Sequence, residues 1–433
     1  MRADPEAEWG GADLGAGSRM SDGPEAGRGG ADLGPGSRMS DGPEAEWAPG
    51  VLNPDARWAR RGHVSPAARW AREALGRVLE RVAVTREAVG DRFPLYADPV
   101  DGGWTTTRRG SWTGGFWAGL LWLRARATGD AGDRRAAAGC TDALAGWVEA
   151  DTVTRGLILW YGTALDERAS AAARLRGRAG GALLAAFDPG LGLVPWGAAL
   201  GGDRLLARTD GLPGTGQLLG CAGAAGVRAA AAHLDRHLEL CLPGDAAEAV
   251  RPAWRLRPGG GWEPCEEPRP GWSRGEAWLL LALADALLVP AYGGEEVPAR
   301  VAAAAVRLAD GLLAGPLVPP ADAGRDGSPT DTSAAAIGAV ALLKLARARP
   351  GSPLPGAAGY ERRAVDVLRR LADHHLSRPE HGRQGGGRPA GMLLDGCYDA
   401  DRGLAVRHEL VWGDFFLALG LAALTGLVDP VSV

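Results

Sequence analysis

The sequence predicts an all-α fold, an (α/α)6 barrel in which six helical hairpins close into a toroid. Three observations predict it. Ala/Leu/Arg-rich stretches with helical periodicity recur twelve times between Gly, Pro and Asp breaks. Short and long connectors alternate between them, as hairpins in a ring require. Unusual polar and aromatic residues gather at the starts of the even-numbered stretches, whereas the odd-numbered starts are plain.

The stretches lie near 66–89, 112–128, 131–149, 154–165, 169–187, 210–225, 226–242, 272–288, 295–313, 330–348, 357–376 and 409–426. Almost nothing reads as strand, apart from short pieces near 191–196 and 252–257. In an up-and-down ring alternate helices run the same way, so the even-numbered starts share one rim. That rim also collects free N–H donors and the positive ends of helix dipoles, which suit a carboxylate or many hydroxyls.

The second stretch opens with "GSWTGGFWAGLLWL", in which Trp112 precedes the helix and faces the cavity; Trp117 follows, with inner-barrel packing as its ordinary reading. The fourth opens "DTVTRGLILWYGTA", an ordinary capped start that carries Arg155. The sixth opens "ARTDGLPGTGQLL", where Asp210 is either an N-cap or a rim acid able to act as general acid and base. The eighth, "GWSRGEAWLLLA", combines Trp272, Arg274, Glu276 and Trp278; Arg274 suits bidentate carboxylate recognition, and a surface Arg–Glu pair is the plain alternative. The tenth starts at Asp331, Thr332 and Ser333, read as a cap with close helix packing. The twelfth starts at Trp412 and Asp414, with Asp414 read mainly as structural.

Residues 1–57 stand apart as a separate region. "PEA" recurs at Pro5, Pro24 and Pro43, a period of 19, and "GADLGAGSRMSDGPEA" returns almost unchanged as "GADLGPGSRMSDGPEA". Gly/Pro-rich sequence with few large apolar side chains cannot bury a core, so these repeats predict a disordered extension before a barrel at 58–433.

Composition excludes several classes. A net charge of −4 argues against an electrostatic grip on nucleic acid. No apolar run reaches the roughly 18 residues of a membrane span, and no apolar leader is visible. Cys140, Cys221, Cys241, Cys265 and Cys397 form no CxxC pair and read as reduced, mostly buried thiols of a cytoplasmic protein. His233 and His237 are one turn apart, yet solvated surface histidines are the plainer reading than a metal pair. No cofactor or metal is expected, and neither phosphate loops nor nucleophile elbows stand out. Sixteen tryptophans against five phenylalanines leave two readings, core packing or stacking on sugar faces.

The motifs "SWTGGFW", Asp210, "WSRGEAW", "DTSAAAI" and "WGDFF", in this order from about 70 to 427, resemble the unsaturated glucuronyl hydrolases, glycoside hydrolase family 88. The resemblance implies an (α/α)6 barrel that releases a Δ4,5-unsaturated uronic acid from lyase-derived oligosaccharides. The family hydrates the enol-ether double bond: one aspartate protonates C4 and helps water add at C5, and the hemiketal then collapses. This differs from the two-carboxylate chemistry of ordinary glycosidases. By position Asp210 matches the acid/base, Trp112 a substrate-stacking tryptophan, and Arg274 and Trp278 residues of the sugar subsite. The sequence also departs from the family. Arg155 and Gly156 stand where the family carries a His-Asp pair, so its second carboxylate is missing, and Arg155 would have to supply the lost positive charge. The family's histidines between the seventh and eighth helices are absent, and Gly214 replaces an asparagine that often follows the acid/base. Three readings stay open: an active hydrolase working through Asp210, a catalytically impaired carbohydrate-binding relative, or a sugar epimerase, which the lack of histidine between 238 and 373 weakens. An oligosaccharide is the expected partner in the first two.

Overall fold

The computed structural model describes residues 69–245, 248–288, 299–347, 357–378 and 388–433. The repeats of 1–57 lie outside the described residues. The described chain forms α1 (Arg69–Val89), α2 (Gly114–Thr128), α3 (Ala131–Ala143), a π-helical turn (Gly156–Trp160) running into α4 (Tyr161–Thr163), and α5 (Ala169–Ala186). It continues with α6 (Thr215–Gly220), α7 (Gly223–Cys241), α8 (Ser273–Leu288), α9 (Ala299–Ala314), α10 (Thr332–Leu345), α11 (Ala357–His374) and α12 (Val411–Leu424). Each matches one predicted stretch, mostly with trimmed ends; α7 begins three residues before its stretch and α9 ends one residue beyond its own.

The even-numbered helices form the inner ring. α2 packs on α4, the π-turn on α6, α6 on α8, α8 on α10, α10 on α12, and α12 closes back on α2. Their sequences explain the place: every residue of α10 is buried, as is nearly all of α12, and helices apolar all round belong inside. The outer helices are amphipathic. α11 buries Tyr360, Ala364, Val367, Leu368 and Leu371 along one stripe and exposes its charges. Ends are set locally. Asp130 caps α3 by accepting from the Asp133 amide at 2.8 Å. Gly129 ends α2 in the left-handed region, φ 70°, and donates back to the Ala125 carbonyl.

The fourth inner element is the irregular one. Its π-turn sets the Leu157 and Ile158 carbonyls directly against Gly115 of α2, where a Cβ has no room. Gly156 meets Pro213 and Thr215 in the same way on its other side. The predicted 154–165 helix is therefore one wide turn plus a short α-segment, since side chain and backbone crowd it from both flanks.

Strand content exceeds the sequence expectation. Two antiparallel sheets sit among the helix connectors. One has the order β2 (Trp104–Thr107), β1 (Phe93–Ala97), β7 (Leu404–Leu410), β6 (Gly396–Asp399); the other runs β3 (Leu206–Arg208), β4 (Ala253–Leu256), β5 (Trp262–Pro264). The expected strand near 252–257 is β4, whereas 191–196 forms only an isolated bridge, Leu193 to Asp188. The strands are three to seven residues long, too short to show an alternating pattern clearly, and their stability comes from pairing and from the ring beneath.

Candidate functional site

The starts of the even-numbered helices meet at one rim, but largely by packing into each other. Arg274, in the first turn of α8, donates from Nη1 to Asp331 Oδ2 at 2.7 Å and to the Cys397 carbonyl at 2.5 Å, and from Nη2 to the Tyr398 carbonyl at 2.7 Å. Its guanidinium lies over Trp272 and Trp412, 5.1 and 5.5 Å from the ring centres. Asp331 also caps α10, accepting from the Ser333 amide at 3.0 Å. One guanidinium thus ties α8, α10 and β6 together, and its carboxylate partner is Asp331 of the same chain rather than Glu276. Trp112 donates from Nε1 to the Tyr398 hydroxyl at 3.2 Å and lies 4.8 Å from Trp412. Thr215 donates to the Val153 carbonyl at 3.2 Å, linking the sixth start to the fourth.

Asp210 sits in a tight turn after β3, its side chain 1% exposed. It is no helix cap: Gly214 holds the N-cap position of α6. Both carboxylate oxygens accept from Arg208, at 3.0 and 3.1 Å. Arg208 in turn stacks over Trp196, 4.7 Å from its centre. The reading of the sequence missed Arg208. The signal was only the short spacing: an Arg two residues before an Asp is a local ion-pair candidate, but the turn at 209–211 that brings the two together was not read from the sequence.

A cleft of about 130 Å³ opens on the rim. Arg208, Trp272, Arg274 and Tyr398 line it, with Glu267 and Asp399 among the residues toward its mouth. The Arg274 and Arg208 side chains are 3% and 14% exposed. At the mouth Arg402 pairs with Asp399 and Arg269 with Asp401, at 3.6 and 3.7 Å. The volume fits one sugar-sized group; it is below the roughly 300–1,000 Å³ of typical ligand pockets.

Of the six residues singled out in the sequence, Arg274 lines this cleft. Asp210 adjoins it through Arg208. Trp112 and Trp278 are each 1% exposed and belong to an aromatic cluster filling the barrel. In it Phe116 stacks on Trp278 at 6.1 Å, and Phe415, Phe416 and Tyr161 surround Phe116. Trp117, 4% exposed, borders a small internal void with Arg81, Glu409 and Asp414. Most tryptophans of the inner helices therefore pack the core, while Trp272 faces the cleft. Arg155 is buried; Nη2 donates to the Ala150 carbonyl at 2.5 Å, while Nε and Nη1 meet no protein acceptor. Burial holds its guanidinium below the usual arginine range. Beside it, Gly156 has no space for a carboxylate side chain.

The histidine pair corrects an expectation. His233 and His237 are buried, not solvated, with ring centres 4.4 Å apart. The Val194 amide donates to His233 Nδ1 at 3.2 Å, so this face of α7 packs under the 188–196 loop. Burial lowers both; His237 falls to about 4. Among the described residues no group of three or more His, Cys, Asp or Glu could hold a metal ion, and no helix is long and apolar enough to cross a membrane. The cysteines are free thiols, with Cys241 and Cys397 buried, Cys140 and Cys265 half-buried and Cys221 exposed.

A second buried charge cluster lies under α12. Arg81 grips Glu409 through Nε at 3.0 Å and Nη2 at 2.6 Å. Asp414 lies beside them, accepting a long bond from the Leu393 amide at 3.4 Å. Burial, then the Glu409 charge, push the Asp414 carboxyl well above the usual range.

No family model and no curated protein matches the chain by sequence. Solved structures do match. An unsaturated glucuronyl hydrolase from Bacillus sp. GL1, responsible for the degradation of glycosaminoglycan, is 23% identical; the match covers 82% of this chain and 96% of that one, with a TM-score of 0.69. The unsaturated glucuronyl hydrolase of Streptococcus agalactiae is 19% identical over 88% of this chain and 96% of its own, TM-score 0.68. One specific for heparin is 20% identical over 83% and 98%, TM-score 0.67. The chain therefore has the (α/α)6 toroid fold of the unsaturated glucuronyl hydrolases.

Proposed function

We propose that the chain is a carbohydrate-binding relative of the unsaturated glucuronyl hydrolases that takes the uronate end of a saccharide into the rim cleft and in which enol-ether hydration is impaired. One observation carries this reading. Asp210, the residue at the family's acid/base position, is buried with both oxygens engaged by Arg208, and by the resemblance the place of the family's second carboxylate is Gly156, which has no room for a side chain. An acid that must protonate C4 and then assist water at C5 needs access to the sugar; here it is buried behind Arg208, and the guanidinium must move before an oxygen can reach a substrate. Trp272 and Tyr398 offer aromatic faces to a sugar ring, and the cleft admits a single ring.

A second reading, an active hydrolase with Asp210 as acid/base, is favoured by the position of Asp210 behind a cleft-lining residue and by the nearly full coverage of the hydrolase structures, one of which is a complex with dGlcA-GalNAc6S. The two are separated by following loss of ultraviolet absorbance of the unsaturated uronyl group across a panel of lyase-derived disaccharides. The binding reading expects saturable binding, with little or no loss of absorbance in either the wild type or Asp210→Asn. Brisk loss that Asp210→Asn abolishes would establish the hydrolase instead.

A further inference from the structure

We infer that Arg208 is the carboxylate-recognising residue of the cleft and that Asp210 is its built-in occupant, a stand-in that a uronate carboxylate displaces. This rests on the reading of the cleft as a uronate site.

Two arginines reach the inner part of the cleft, and their commitments differ. Arg274 spends its donors on Asp331 and on two main-chain carbonyls, and it holds three elements together. Taking it away would leave the α10 cap and β6 without their tie, so it is a poor candidate for exchange. Arg208 is more exposed, 14% against 3%, and its carboxylate partner is two residues away, in the turn that follows its strand. The Arg208–Asp210 pair itself, unlike the Arg274 bonds, joins no two helices of the ring.

The geometry of the pair is the one a ligand would need. Arg208 donates from Nε and Nη2 to the two oxygens of one carboxylate, the side-on bidentate arrangement by which guanidinium groups bind carboxylates. The Trp196 ring lies under the guanidinium, 4.7 Å from ring centre to the central carbon, and restricts its movement. The fork belongs to a side chain that lines the cleft and already holds a carboxylate, so it is a uronate receptor whose site is occupied internally from behind. A uronate entering beside Trp272 and Tyr398 brings the same functional group to the same fork. The exchange replaces one carboxylate by another, so no charge is left stranded on the arginine; the cost falls on Asp210, which must find another partner or water.

Recognition is local, because the arginines at the cleft mouth are matched by carboxylates: Arg402 by Asp399, Arg269 by Asp401. Affinity for a uronate is therefore set by the competition at Arg208 rather than by the field of the surface.

The test measures equilibrium binding of glucuronate, glucose and an unsaturated uronyl disaccharide by calorimetry, using the full chain and its Asp210→Asn and Arg208→Gln variants, each checked for an unchanged circular dichroism spectrum. Exchange predicts that Asp210→Asn, which keeps the shape but removes the competing charge, binds glucuronate and the disaccharide about tenfold more tightly. Arg208→Gln is expected to bind glucuronate no better than glucose. If the wild-type protein binds uronates and both variants bind them equally well, Arg208 is not the receptor and the inference is overturned while the cleft reading stands. If Asp210→Asn weakens uronate binding, Asp210 contacts the sugar directly and the stand-in role is overturned. Failure of all three proteins to bind any of the saccharides overturns the cleft reading and the inference with it.

Discussion

At the scale of single residues, the most consequential groups are buried titratable ones whose environments pull in opposite directions. His237 is stabilised in its neutral form by burial and titrates near 4 in the fold, against about 6.5 when unfolded. The unfolded chain therefore binds more protons between those values. Stability from this group is full above pH 6.5 and drains away as the pH falls toward 4. A shift of this size corresponds to roughly 3 kcal/mol, an upper bound. Urea unfolding at pH 7 and pH 5 should show the loss, and His237→Gln should flatten the difference. Asp414 behaves oppositely. Its folded carboxyl titrates above its unfolded value, so its favourable contribution is present below about pH 4 and disappears as the pH rises. Asp414→Asn is expected to leave stability at pH 7 unchanged or raise it. Glu409→Gln should cost about 3–5 kcal/mol, because it leaves Arg81 buried without its counter-charge. The reverse order of these two effects in denaturant midpoints would show that Asp414, not Glu409, is the partner of Arg81.

At the scale of elements, the fourth inner helix decides what chemistry the rim can support. Its π-turn leaves Gly156 against Pro213 and Thr215, so a side chain there must push α6 away. Gly156→Asp is expected to lower the melting temperature by several degrees, consistent with the roughly 1–3 kcal/mol of an overpacked site. It should not generate hydrolysis of an unsaturated disaccharide. A gain of activity without loss of stability would mean that α6 yields easily. Much of this scale was legible in advance. Runs such as "TSAAAIGAVALLKL" announce a helix buried on all sides, and "YERRAVDVLRRLADH" announces an outer, one-faced helix. The hairpin of β6 and β7 was not legible. Its pairing joins residues whose alternation is short and interrupted by a bulge at Gly396, and its place is fixed by Arg274 from more than a hundred residues away.

At the scale of the whole molecule, one buried amine ties two inner helices to Val433. Lys344, the single lysine, is 1% exposed and donates from Nζ to Asp285 Oδ1 and to the Val433 main-chain oxygen, both at 2.5 Å. It fastens α10 to α8 and to the last residue. Because the amine is sealed in the toroid, its modification by an amine-directed reagent should follow global unfolding: labelling of Lys344 is expected only at denaturant concentrations that melt the helical signal. Labelling under native conditions would show that this side of the ring opens locally. Lys344→Met should be tolerated better than Lys344→Ala, since the first fills the volume while the second leaves Asp285 both unpaired and beside a cavity.

What the sequence determined by itself is the toroid: twelve helical stretches, and the gathering of polar and aromatic starts on one rim. These follow from helical periodicity and from the rule that alternate helices in a ring point the same way, both readable along the chain. Tertiary structure alone decided what that gathering amounts to. Trp112 and Trp278 pack into the aromatic cluster of the barrel while Arg274 ties α8, α10 and β6; His233 and His237 are buried under the 188–196 loop, where the sequence suggested a short strand; and Asp210 meets Arg208 instead of open solvent. A residue type fixes which bonds a side chain can make, but its partners are chosen by the three-dimensional competition for donors, acceptors and space.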